Sequence, residues 1–114
     1  MPLQVRRIYD SANPQDGFRV LVDRLWPRGI SKERAAIDRW LKEIAPSNEL
    51  RTWFGHRSDR FSDFTNRYVS ELEGNPAIEE LLGIVHSNPT VTLLYGAKDD
   101  TINHANVLAH YLDR

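Results

Sequence analysis

Phe18-Arg19-Val20-Leu21-Val22-Asp23 is β-branched and mostly apolar, and it does not alternate. A strand with one wet face reads apolar-polar-apolar, whereas a strand covered on both faces reads as a near-continuous apolar run. Thr90-Val91-Thr92-Leu93-Leu94-Tyr95, closed by Gly96, is the strongest strand signal in the chain. A strand like the one at residues 18–23 requires packing on both sides of a sheet, which restricts the fold to layered architectures.

The period changes between and after these strands. Phe61, Phe64, Tyr68, Val69 and Leu72 form one helical stripe, with Ser58 as candidate cap and Gly74 as stop. Asn75 caps a second helix with Pro76 at its first position, and Ile78, Leu81, Leu82 and Val85 face inward before Asn88-Pro89 breaks it. A final helix turns Val107, Leu108, Tyr111 and Leu112 inward. Val5 to Tyr9 alternates loosely as a weaker strand and runs into a turn-rich loop, Asp10 to Gly17; Ser31 caps a short helix through Ala36. Residues 37–45 stay open: Ile37, Trp40, Leu41 and Ile44 fit helical spacing, but the same stretch reads equally as a strand closed by Pro46. Strand–loop–helix order at both ends predicts an α/β fold, a mostly parallel sheet of three or four strands flanked by helices. With 114 residues, no repeat and no long linker, residues 1–114 read as a single domain.

Composition narrows the chemistry. The chain has no cysteine, which excludes disulfides, thiolate metal sites and thiol nucleophiles. Fifteen Lys and Arg balance 16 Asp and Glu, so a general nucleic-acid binder is disfavoured, although a local basic patch is compatible with the total. No apolar run approaches the ~18 residues of a membrane span, and no signal-peptide core opens the chain. A soluble, cytoplasmic protein is expected.

In parallel sheets ligands collect where strand ends meet helix starts, and two unusual segments fall there. The first, Asp23-Arg24-Leu25-Trp26-Pro27-Arg28-Gly29, places two guanidiniums four residues apart around a stiff Pro. Arginine suits bidentate recognition of phosphate or carboxylate. Ser31, at a helix start, would add a hydroxyl and backbone N–H groups. The bland alternative pairs Asp23 with an arginine internally and leaves Trp26 and Pro27 as packing. The second segment runs from Gly96 to His104. His104 lies on the inward stripe at the start of the last helix, near Tyr95, where it is either an acid/base group or a core histidine bonded to a nearby carbonyl or hydroxyl. Lys98, in a solvated loop, is within reach of an anion at the strand end. His56 with His104 and Asp23 could make a two-His, one-carboxylate set, but no metal-binding spacing supports it and none is expected.

The segments "VDRLWPRGISKERAAIDRWLKEIAPSNELRTWFGH" and "VTLLYGAKDDTINHANVLAHYL" resemble the YeaO-like branch of the domain of unknown function 488 family, with Asp-Arg-Leu-Trp-Pro-Arg-Gly and Ala-Pro-Ser as the most specific pieces. The resemblance implies a compact α/β domain and favours a strand near Trp40 to Ile44. It implies no reaction. Relatives outside this branch carry Cys-His-Arg where this chain has Asn103-His104-Ala105, and a Cys in place of Tyr95. Thiol chemistry is absent here, while the histidine is kept.

Two functions from different classes follow. In the first, the cleft binds a small anionic ligand or acts as an enzyme site. Arg24 and Arg28 hold the anion, Trp26, Ser31, Tyr95 and Lys98 line the site, and Asp23 and His104 are the catalytic candidates. In the second, an exposed Trp26 or Trp53 beside Arg28 or Arg51 makes a protein-interaction module, which includes a homo-oligomer. Nucleic-acid association ranks last, and no cofactor can be named.

Overall fold

The computed structural model describes residues 3–113. Four parallel strands, β1 (Leu3–Arg7), β2 (Phe18–Leu21), β3 (Arg39–Trp40) and β4 (Val91–Tyr95), form one sheet in the order β1-β4-β2-β3. The last strand in sequence is therefore interior, with Leu93 aligned to Val5 on one side and to Val20 on the other. All five of its residues are buried, which is why the run carries no alternation.

One face of the sheet is covered by helices. α2 (Asn48–Phe54), α3 (Phe61–Glu73), α4 (Ala77–Ser87) and α5 (His104–Leu112) pack over Val20, Val22, Val91, Leu93 and Tyr95. Gly74 ends α3, and Asn75 Oδ1 accepts from Ala77 N at 2.9 Å at the start of α4. Ser58 does not cap α3. It begins a short 3-10 turn, Ser58–Arg60, that runs into the helix.

The other face is covered by a largely irregular segment. The chain between β2 and β3, containing only the one-turn helix α1 (Lys32–Ala35), lays Ile30, Ala35, Trp26 and Ile37 over Leu21 and Leu94. Residues 37–45 resolve into neither a helix nor a long strand. Asp38 N and Leu41 N donate to Arg19 O and Leu21 O at 2.8 and 2.9 Å, which makes Arg39–Trp40 a two-residue edge strand. Lys42–Ile44 then closes as a 3-10 turn. Tertiary hydrogen bonds override the local spacing here.

An irregular layer exposes backbone polar groups to the core, and buried ones must be paired. Arg19, 5% exposed, does this for α1: its Nη2 and Nε donate to Ala35 O and Ala36 O at 2.8 and 3.2 Å. Its charge is met by Asp16, which also accepts from Arg6 at 2.8 Å. Burial alone would raise the Asp16 pKa, but hydrogen bonds from Arg6, the Asn13 backbone and Arg19 outweigh it and hold the carboxyl below its ordinary value. Removing one partner of a buried ion pair costs roughly 3–5 kcal/mol, so Asp16→Asn is expected to lose stability of that order at pH 7. A lowered folded pKa means the contribution is complete above about pH 4, the ordinary Asp value, and is lost as pH falls through the folded pKa. Urea unfolding of both proteins at pH 7 and pH 3 checks this: the gap between them should narrow in acid. An unchanged gap would mean that Asp16 is not held ionised.

Candidate functional site

The chain leaves β2 toward the irregular layer and leaves β4 toward the helical layer. Connections that diverge to opposite faces open a crevice at the carboxyl ends of adjacent strands, and a cavity of about 340 Å³ lies there. Its walls come from Asp23 to Arg28, from Ala45-Pro46, from Arg51, Phe54 and His56 in and after α2, from Phe64 of α3, and from Gly96-Ala97 and Asn103-His104.

Asp23 ties three elements together at one end. Its Oδ2 accepts from Gly96 N at 2.9 Å, and its backbone carbonyl accepts from Trp40 Nε1 at 2.7 Å. Its Oδ1 stands 3.2 Å from His104 Nε2 and has no other partner among the described residues. A Cβ at Gly96 would sit 2.9 Å from Asp23 Oδ2, so a larger residue there would displace this carboxylate. His104 Nε2 is also 3.0 Å from Val22 O. A carbonyl can only accept, so Nε2 is the donor in this contact. Tyr68 meets the imidazole edge-on at 6.2 Å and donates its own hydroxyl to Ile44 O at 2.7 Å. Burial, reinforced by Glu71 and Asp23 against an opposing Arg24, pushes the Tyr68 pKa well above its ordinary value and keeps it a neutral donor.

Arg24 is half-buried. It donates through Nη2 to Ala45 O at 3.1 Å and through Nε to Pro46 O at 3.3 Å. No carboxylate among the described residues pairs with it. Ser47, the next residue, caps α2 and is held by both carboxylate oxygens of Glu71, at 2.9 and 2.6 Å. Arg24 thus joins the Asp-Arg-Leu-Trp-Pro-Arg-Gly segment to Ala-Pro-Ser. Arg28 and Arg51 also line the cavity, both exposed. Their guanidiniums have no partner among the described residues. Three arginines therefore face one carboxylate, Asp23, across this space.

The structure brings Asp23, Arg24, Trp26, Arg28 and His104 together around the cavity and leaves Ser31, Tyr95 and Lys98 off its wall. Ser31 Oγ accepts from Arg34 N at 3.1 Å as the cap of α1. Tyr95, 3% exposed, belongs to the helical-side core, where burial and Asp100 raise its pKa. Lys98 is exposed in its loop. Trp26 braces the loop by donating to Ile30 O at 2.7 Å and packs edge-on against Trp40 with ring centroids 5.4 Å apart. Phe54 and Phe64 are wall residues that sequence reasoning missed, and Arg51 enters it only as a candidate interface residue. Phe64 shows only as a core position on its helix, and the one hint for Phe54 is its i, i+3 spacing from Arg51. His56 lines the wall as well, but no cluster of three His, Asp or Glu side chains suited to a metal occurs among the described residues.

Fold and cavity together define a small all-parallel α/β domain with a cation-lined crevice at its strand ends. The chain belongs to the domain of unknown function 488 family: residues 2–114 match the family profile described as "Inactive DUF488-N3 subclade". It is 46% identical over 112 residues to the uncharacterized protein YeaO of Escherichia coli K12, covering 98% of this chain and 97% of that one. It is 40% identical to the uncharacterized protein Rv3073c of Mycobacterium tuberculosis, covering 97% and 93%. No solved structure gives a significant match. None of the described helices is long and apolar enough to cross a membrane.

The role of Asp23 as a brace is testable. Asp23→Ala leaves Gly96 N without its acceptor and is expected to cost about 1–3 kcal/mol, whereas Asp23→Asn, which keeps an acceptor oxygen, should cost less. Urea unfolding of the two variants distinguishes them. Equal losses would place the contribution in the charge rather than in the hydrogen bond to Gly96.

Proposed function

We propose that this is a cytoplasmic anion-binding domain that holds a small organic ligand in the crevice between β2 and β4, without turnover. The observation that carries the reading is Arg24, a half-buried guanidinium fixed by two carbonyls on the cavity wall with no carboxylate partner. A desolvated cation is unfavourable unless an opposite charge meets it, and a bound anion would supply one. Arg28 and Arg51 add exposed donors. Binding is favoured over catalysis because Asp23 and His104 are engaged by Gly96 N and Val22 O. The description of the subclade as inactive agrees with this.

Thermal unfolding in the presence of carboxylates, sulfate, phosphate and nucleotides tests the reading. A ligand at about 100 times its Kd adds about 2.7 kcal/mol, a rise of several degrees for a domain of this size. One anion class should raise Tm in the wild type, and the Arg28→Ala, Arg51→Ala double variant should lose the rise while keeping its ligand-free Tm. A rise that survives the double substitution would overturn the site.

A second reading rests on Leu25, 63% exposed on the same loop and the one large exposed apolar side chain among the described residues. If no anion shifts Tm and sedimentation shows a concentration-dependent dimer abolished by Leu25→Ser, the loop is an interaction surface instead.

A further inference from the structure

Resting on the anion-binding reading above, we infer that His56 is a further ligand-contacting residue of the crevice, kept on the wall in a strained turn so that its imidazole donates to the bound anion together with Arg28 and Arg51.

The strain lies in the backbone after α2. Arg57 N donates to Phe54 O at 3.0 Å, closing a turn whose two central residues, Gly55 and His56, have φ of 53° and 58°. Turns with positive φ at both central positions favour glycine and asparagine, because a Cβ in the left-handed region crowds the carbonyl that follows it. Gly55 meets that demand and ends α2, its N–H donating to Arg51 O at 3.1 Å. His56 does not meet it. A glycine or an asparagine there would hold the same turn with less strain.

Ala36, with φ of 48°, is the other non-glycine residue in this region among those described. Its conformation has a local cause: Ala36 N donates to Lys32 O at 3.1 Å, and its carbonyl accepts from Arg19 Nε at 3.2 Å. His56 has none of this. Among the described residues it makes no hydrogen bond or ion pair, and its ring contact is with Phe54, tilted 47° with centroids 6.2 Å apart. The residue nevertheless lines the cavity with Arg24, Arg28 and Arg51, exposed as Arg28 and Arg51 are. Strained residues gather at sites whose function uses them.

The chemistry suits an anion. A neutral imidazole carries one N–H donor and a protonated one carries two, so either form can donate. Asp23 is the one carboxylate among the described wall residues, and Gly96 N and His104 Nε2 already engage it. No wall carboxylate is left over for His56.

The experiment follows the imidazole nitrogens and backbone amides of the ¹⁵N-labelled full chain while phosphate, sulfate, acetate and succinate are added singly. The anion that moves the amide signals of Arg24, Leu25 and Arg28 should move the ring signals of His56 over the same concentrations. His86 and His110, which do not line the cavity, should stay in place. His56→Gly and His56→Asn both suit positive φ, so the ligand-free Tm should stay at or above that of the wild type while affinity for that anion falls severalfold. A lower Tm with unchanged affinity would make His56 a brace of the turn and overturn the inference. Cavity amides that titrate while the His56 ring signals stay still would also overturn it and leave the anion pocket standing. No perturbation of the cavity by any of these anions would overturn both.

Discussion

An irregular segment can serve as one layer of this sheet only because Arg19 and Asp16 are buried beneath it. Leu21 and Leu94 need cover on the face away from the main helices, and only the single turn of α1 supplies helix there. The carbonyls of Ala35 and Ala36 would otherwise point at the core unpaired. Arg19 satisfies both, Asp16 neutralises Arg19, and Thr92 Oγ1 donates to Asp16 O at 2.7 Å, tying the cluster to the central strand. Buried polar networks of this kind hold only when every member is satisfied. The layer, and the loop that continues from it into the cavity, rests on that condition.

The same solution recurs around the cavity. Tyr9 donates to Arg28 O at 2.9 Å, Trp26 to Ile30 O, Trp40 to Asp23 O, and Arg24 to Ala45 O and Pro46 O. Each long side chain satisfies a loop carbonyl and so fixes the path of the wall. The wall is built by residues that a sequence reader would take for ligand contacts. Arg24 is one of them: its guanidinium braces Ala45-Pro46 and lines the cavity with no carboxylate partner among the described residues. Asp23 and His104 are two more. Their hydrogen bonds join β2, β4 and α5.

Much of this was legible in the chain. The run at residues 18–23 announced a strand covered on both faces, the run at 90–95 announced a strand, and the stripes of α3, α4 and α5 announced helices, because burial period is a local property that each segment carries by itself. The placing of Asp23, Arg24, Trp26, Arg28 and His104 near one crevice followed from a general rule about where parallel strands end. Three expected residues lie off the cavity wall. Closeness in sequence points to Ser31 and Lys98, and a place at the strand end points to Tyr95. Side-chain direction then sent Tyr95 into the core, and the Arg34 amide engaged Ser31.

What the sequence alone determined was the class of fold, the absence of thiol chemistry, and the segments from which the crevice is made. Only the tertiary structure decided that β4 lies between β1 and β2, that residues 37–45 break into a short strand and a 3-10 turn, and that Arg51 and Phe54 face the same space as Arg28. Each of these depends on partners distant in the chain: Arg19 O and Leu21 O for the short strand, Ala45 and Pro46 for Arg24. Local periodicity records which face of a segment is buried, but not which segment buries it.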